Sequence, residues 1–124
     1  MSSENAPTAS VSTHILDTSA GRPAAGVGVE LAVRTDGVAE WSAHAASATD
    51  ADGRCKDLPA LPPGTAHARL TFEVGPYQSG GPGGAGEREG FFPEVTVAFA
   101  VAPGEHYHVP LLLNPFGYSV YRGS

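Results

Sequence analysis

The feature that most constrains this chain is a two-residue rhythm that recurs along its length. Val27, Val29, Leu31 and Val33 alternate with smaller or polar residues. The same beat places Ala68, Leu70, Phe72 and Val74 on one side of residues 65–74. It also places Val95, Val97, Phe99 and Val101 on one side of residues 94–101. Period-two alternation is what a strand needs when one face is buried and the other meets water. A helix would scatter these residues around its axis.

Turn signals keep the runs short. They fall at residues 17–23, at Thr35-Asp36-Gly37, at Asp50-Ala51-Asp52-Gly53 and at Leu61-Pro62-Pro63-Gly64. Two more are Pro103-Gly104 and Asn114-Pro115-Phe116-Gly117. Glycine and proline enforce such breaks through their special backbone angles. Seven or eight short strands result, so the expected fold class is all-β and the expected architecture a β-sandwich. Residues 1–9 are small and polar and read as a disordered leader, with one domain over 10–124. Residues 75–90 are glycine-rich and read as a surface loop.

Charge and cysteine usage exclude several function classes. Thirteen acidic residues against seven basic ones leave a net charge of −6, the wrong sign for nucleic acid or an anionic membrane. The single cysteine, Cys55, cannot form an internal disulfide. Flanked by Arg54 and Lys56, it reads as a small semi-buried residue rather than a reactive thiol. No basic start followed by an apolar stretch opens the chain, and no apolar run is long enough to span a bilayer. A soluble cytoplasmic protein is the expectation.

Strand parity gathers the chemically able residues. In residues 105–113, Tyr107, Val109, Leu111 and Leu113 take the core face, so His106, His108, Pro110 and Leu112 face away. With Pro115 and Phe116 as a tight loop, the last strand pairs antiparallel. Leu112 then lies opposite Ser119, Pro110 opposite Tyr121 and His108 opposite Gly123. In the first strand Val11 and Ile15 look inward, so His14 looks outward. One outer face would then collect His14, His106, His108, Ser119 and Tyr121. It is too apolar for water and calls for a covering partner, most simply a second copy of the chain. From spacing alone the pair His106 and His108 fits three roles: two surface histidines, a zinc site with His14, or metal-free acid–base catalysis. Asp50-Ala51-Asp52-Gly53 reads as a turn, since no carboxylate closes a calcium loop. His44 and His67 read as structural or surface residues.

The chain resembles the 5-hydroxyisourate hydrolases of the transthyretin-like family. Four segments carry the likeness. Thr13-His14-Ile15-Leu16-Asp17 precedes Gly21-Arg22-Pro23-Ala24, and Asp52-Gly53-Arg54-Cys55 follows. Phe91-Phe92-Pro93-Glu94-Val95 comes next. The run from His106 to Leu113 continues to Tyr121-Arg122-Gly123-Ser124. The resemblance implies an eight-stranded sandwich of two four-stranded sheets, and a homotetramer built as a dimer of dimers with sites along the channel between dimers. It implies hydrolysis of 5-hydroxyisourate to 2-oxo-4-hydroxy-4-carboxy-5-ureidoimidazoline in urate breakdown, with no metal or organic cofactor. It carries the catalytic positions to His14, Arg54 and His108, and substrate contacts to Tyr121, Ser124, His106 and Arg122. By parity Arg122 is better suited to anchoring the tail. A non-catalytic transthyretin-like ligand-binding tetramer and a metal-binding β-protein are the rival expectations. Family members carry a short helix before the Phe91-Phe92 segment. The glycines and proline of residues 78–86 predict that it is shortened or missing here.

Overall fold

The computed structural model describes residues 7–80 and 90–123. In chain order the strands are β1 (Ser10–Asp17), β2 (Arg22–Pro23), β3 (Gly28–Arg34), β4 (Ser42–Ala48), β5 (Arg54–Cys55) and β6 (His67–Glu73). After the single helix of the described residues, α1 (Val74–Gln78), come β7 (Val95–Ala100), β8 (His106–Asn114) and β9 (Gly117–Val120). They form two sheets. One runs β2-β1-β8-β9, with β5 also paired to β1; the other runs β4-β3-β6-β7. The expected two-sheet sandwich of four-stranded sheets is therefore present, with the two-residue β5 as an extra partner on β1.

The alternating residues form these strands because they can bury every second side chain. Along β1 burial alternates without a break, with Val11, Thr13, Ile15 and Asp17 inside. Along β6 it alternates equally cleanly, with Ala68, Leu70 and Phe72 inside. Phe72, Ile15, Leu31, Leu61, Leu70, Leu111 and Leu113 are the largest fully buried side chains at the centre. Each such side chain contributes about 1.5–3 kcal/mol by leaving water. The core begins before β1: Ala9 is buried and its carbonyl accepts from Leu61 N–H. Of the expected leader, residues 1–6 lie outside the described residues, as does 81–89 of the expected loop.

Two sequence expectations shift at the end of β6. The strand stops at Glu73, and Val74 begins the helix instead of ending the strand. A helix of five residues occupies the start of what reads as a loop. Pro76 is tolerated because the first turn of a helix has no N–H acceptor inside the helix. Tertiary contacts supply what propensity lacks. The Tyr77 hydroxyl donates to Asp17 Oδ2 at 2.8 Å, and Gln78 Nε2 donates to the Asn114 carbonyl at 3.0 Å. Burial pushes the Tyr77 phenol up to about 12, and the neighbouring Asp17 carboxylate adds to the rise. Burial would raise Asp17, but bonds from Ala20 N–H, Tyr77 and Ser19 outweigh it and hold the carboxyl below its usual value.

Tyr77→Phe should therefore destabilise the fold by about 1–3 kcal/mol, since it leaves a buried carboxylate oxygen without its donor. Urea unfolding checks this. The loss should shrink as pH falls through the folded-state value of Asp17, because the depressed carboxylate contributes stability only above that point.

Candidate active site

The site is built on the face of the β1–β8 sheet that points away from the core. Strands β1 and β8 run parallel and in register from Ser10 opposite His106 to Asp17 opposite Leu113. This places Ser12 opposite His108 and His14 opposite Pro110. On the other side of β1, His14 pairs with Arg54 and Thr13 with Cys55. Strand β9 pairs antiparallel with β8, with Leu112 opposite Ser119. Beyond it His108 bridges Gly123, and Tyr121 N–H approaches the Pro110 carbonyl at 3.4 Å. The register expected from the two-residue turn is the observed one.

One row across the sheet thus reads Arg54, His14, Pro110 and Tyr121, and the next reads Ser12, His108 and Gly123. His14, Arg54 and His108 are half-buried, Tyr121 is 53% exposed, and Pro110 is buried between them. His106 stands one row further out and is exposed. Arg122 falls on the opposite parity. Its guanidinium lies 4.5 Å over the Tyr107 ring and 3.4 Å from the Glu105 carboxylate, so it holds the tail down. Ser124 lies outside the described residues.

Two glycines make the close approaches. Gly53 has φ +73°, and a Cβ there would sit 2.5 Å from the Ile15 carbonyl oxygen. Gly53 must be glycine for β5 to dock against β1, and that docking sets Arg54 beside His14. The Asp50 carboxylate supports the turn by accepting from Asp52 and Arg54 N–H, so it serves the backbone and not a cation. At the tail, a Cβ on Gly123 would sit 2.9 Å from His108 Cδ2, and Gly123 N–H donates to the His108 carbonyl at 2.7 Å. A glycine at 123 lets the backbone there lie against the imidazole.

Parity also brings in two residues that sequence reading passed over. Ser10 Oγ lies 2.6 Å from His106 Nδ1, and Ser12 Oγ lies 2.8 Å from both His106 Nε2 and His108 Nδ1. The signal was available, since Ser10 and Ser12 share the parity of His14. His44 and His67 belong to the other sheet, where His44 Nε2 donates to the Ala60 carbonyl and His67 Nδ1 accepts from Arg34 Nε. Cys55 is buried and free, and burial pushes its thiol up, away from reactivity. Among the described residues no group of three or more His, Cys, Asp and Glu side chains is placed to hold a metal ion.

His108 is held below its ordinary imidazole value. Burial is the main cause, and the positive charges of Arg54, His14 and His106 add to it. A neutral imidazole beside a fixed guanidinium can take a proton from water while the cation stabilises a developing oxyanion.

A two-sheet sandwich of this topology, with histidines and an arginine on the outer face of one sheet, defines a transthyretin-like protein. The sequence profile of the HIUase/Transthyretin family matches residues 11–123, and the chain belongs to that family. It is 43% identical to the 5-hydroxyisourate hydrolase of Mesorhizobium japonicum, over 92% of this chain and 91% of the relative. It is 42% identical over 92% of its length to the uric acid degradation bifunctional protein TTL of Arabidopsis thaliana, of which it spans only 37%. Among solved structures, the 5-hydroxyisourate hydrolase of Klebsiella pneumoniae superposes with a TM-score of 0.75 at 34% identity, over 94% of this chain and 99% of the other.

Followed by NMR, His108 should titrate below the ordinary imidazole value of 6.5, and Arg54→Gln should raise it without restoring it, because burial remains. The unfolded chain takes up this proton near 6.5 and the folded chain only at lower pH. Folding stability should therefore fall as pH drops from about 6.5 toward the folded value.

Proposed function

We propose that this chain hydrolyses 5-hydroxyisourate, opening a cyclic amide to give 2-oxo-4-hydroxy-4-carboxy-5-ureidoimidazoline in urate breakdown. One observation carries the proposal: Arg54, His14 and His108 converge on one outward sheet face beside the chain's terminal residues. The relatives named as 5-hydroxyisourate hydrolases agree with it.

Each role follows from the chemistry of the group. His108 is the general base, because its lowered value leaves it unprotonated near neutral pH. His14 is its partner in proton transfer. Arg54 offers a planar, permanently charged fork suited to a ring carbonyl as it becomes an oxyanion. Tyr121 and Ser124 orient the flat polar ring, His106 borders the site, and Arg122 secures the tail. No metal or organic cofactor is required for these steps.

The working form proposed is a homotetramer, a dimer of dimers. The support is the character of the face. It carries Pro110, half-buried Leu112 and a Tyr121 that is 53% exposed, a mixture that a covering copy would desolvate. A covered site would strengthen its hydrogen bonds. The compartment proposed is the cytoplasm. No helix among the described residues is long and apolar enough to cross a membrane.

The test uses freshly generated 5-hydroxyisourate and follows its ultraviolet decay. Protein should accelerate decay well beyond the spontaneous rate, and activity should survive a chelator. His108→Asn should lose on the order of 10²–10⁴-fold in kcat, the usual contribution of a positioned base. Removing Ser124 should also lower turnover. No acceleration by the intact chain would sink the proposal; full activity in His108→Asn with none in His14→Asn would transfer the base role to His14.

A further inference from the structure

Four side chains form an unbroken chain on the site face. Ser10 Oγ meets His106 Nδ1, His106 Nε2 meets Ser12 Oγ, and Ser12 Oγ meets His108 Nδ1, at 2.6, 2.8 and 2.8 Å. A serine hydroxyl carries one hydrogen, and a neutral imidazole carries one N–H. Ser12 faces two ring nitrogens and has one hydrogen and two lone pairs, so it donates to one and accepts from the other or accepts from both. Seen from His108 there are therefore two directions: its Nδ1–H donates to Ser12, or Ser12 donates to its Nδ1.

The two directions leave different groups at the inner end. In the first, His108 Nδ1–H donates to Ser12, and Ser12 either donates to His106 Nε2 or accepts from it as well. His108 Nε2 is then bare and basic. In the second, Ser10 donates to His106 and Ser12 donates to His108 Nδ1, which puts the proton on His108 Nε2 and removes the base. Among the described residues no hydrogen-bond partner faces His108 Nε2, the nitrogen left for chemistry. The bond between Ser12 and His108 is part-buried, whereas both bonds of His106 are exposed. Water competes less at the inner bond, so the inner bond has the larger say over the imidazole.

We propose that Ser12 is a positioning residue for hydrolysis, fixing the His108 ring and its Nδ1–H tautomer so that Nε2 is presented as the base. This rests on the hydrolase reading above. In the step itself a water O–H bond breaks, its proton joins His108 Nε2, its oxygen bonds to the ring carbonyl carbon and the carbonyl π pair moves onto oxygen; as that pair returns the ring C–N bond breaks and the proton on His108 passes to the leaving nitrogen. Nδ1–H stays donated to Ser12 throughout, so the hydroxyl oxygen stabilises the imidazolium that forms.

The experiment pairs kinetics with nitrogen-15 NMR of the imidazoles, at a pH where His108 is neutral. In the native protein His108 should show a protonated Nδ1 and a bare Nε2. Ser12→Ala should mix the two tautomers and lower kcat about tenfold, equal to about 1.4 kcal/mol of lost transition-state stabilisation, with KM within about twofold. Ser12→Thr keeps the hydroxyl in a strand that suits threonine and should restore both readouts. Thermal unfolding of each variant identifies any that fails to fold. Native kcat in a folded Ser12→Ala, or an Nε2–H tautomer in the native protein, overturns the proposal. A tautomer that depends on Ser12 in a chain without turnover would support the positioning geometry and overturn the hydrolase reading instead.

Discussion

The parallel pairing of β1 with β8 is the constraint on which the rest of the structure depends. It joins segments ninety-six residues apart, and it does so in register over the full length of β1. Each strand carries a period-two code of its own. This register superposes the two codes, so that Val11, Ile15, Tyr107, Val109, Leu111 and Leu113 share the core while Ser12, His14 and His108 share the other face. A slip by one residue would send one strand's set to the wrong side. Thr13 helps to fix the pairing, since its buried hydroxyl donates to the Val109 carbonyl at 2.6 Å. The hydrophobic core and the polar site are thus selected by the same choice of register.

Much of this was legible in the chain, and the exceptions have physical reasons. The β8–β9 register follows from a tight loop, because a two-residue turn leaves no freedom in how its strands align. Leu112 opposite Ser119 and His108 opposite Gly123 were therefore readable from sequence. The placement of β1 beside β8 was not, since no local signal reports a parallel partner at the far end of the chain. A shortened helix was among the expectations, but residues 74–78 read as strand end and loop, for a different reason. Gly75 and Pro76 argue against a helix locally, and the contacts that hold it are tertiary: Asp17 with Tyr77, and Asn114 with Gln78. Ser10 and Ser12 were missed although their parity was plain. A serine in a strand has no chemical signature until a neighbouring strand places a histidine beside it.

The site gains precision from being mounted on strands. His14 and His108 project from the two central strands of their sheet, whose backbones are fixed on both sides. Arg54 and the tail come from shorter pieces that need docking devices, and each device is a glycine at a close approach. Gly53 presses on the Ile15 carbonyl and Gly123 on the His108 ring. A side chain at Gly53 would push on the buried Ile15 and Ala24 backbone and displace Arg54, and one at Gly123 would push on the His108 ring. The fold therefore places a glycine at each point where the site is assembled from outside the central strands.

The same assembly explains how an acidic chain can offer an electropositive site. The net charge of −6 is spread over the whole molecule, whereas the permanently charged Arg54 lies close enough to His108 to lower its protonation. Fields close to a site outweigh the distant average, the more so where solvent is partly excluded. Two consequences follow from one cluster. Burial and the Arg54 charge resist protonation of His108, which suits the base role proposed for it, and the same charge suits the proposed stabilisation of a developing anion. A catalytic base and an oxyanion site are usually in tension, because a nearby anion would make the base harder to deprotonate. Here burial and the Arg54 guanidinium bias both in the useful direction before any substrate arrives.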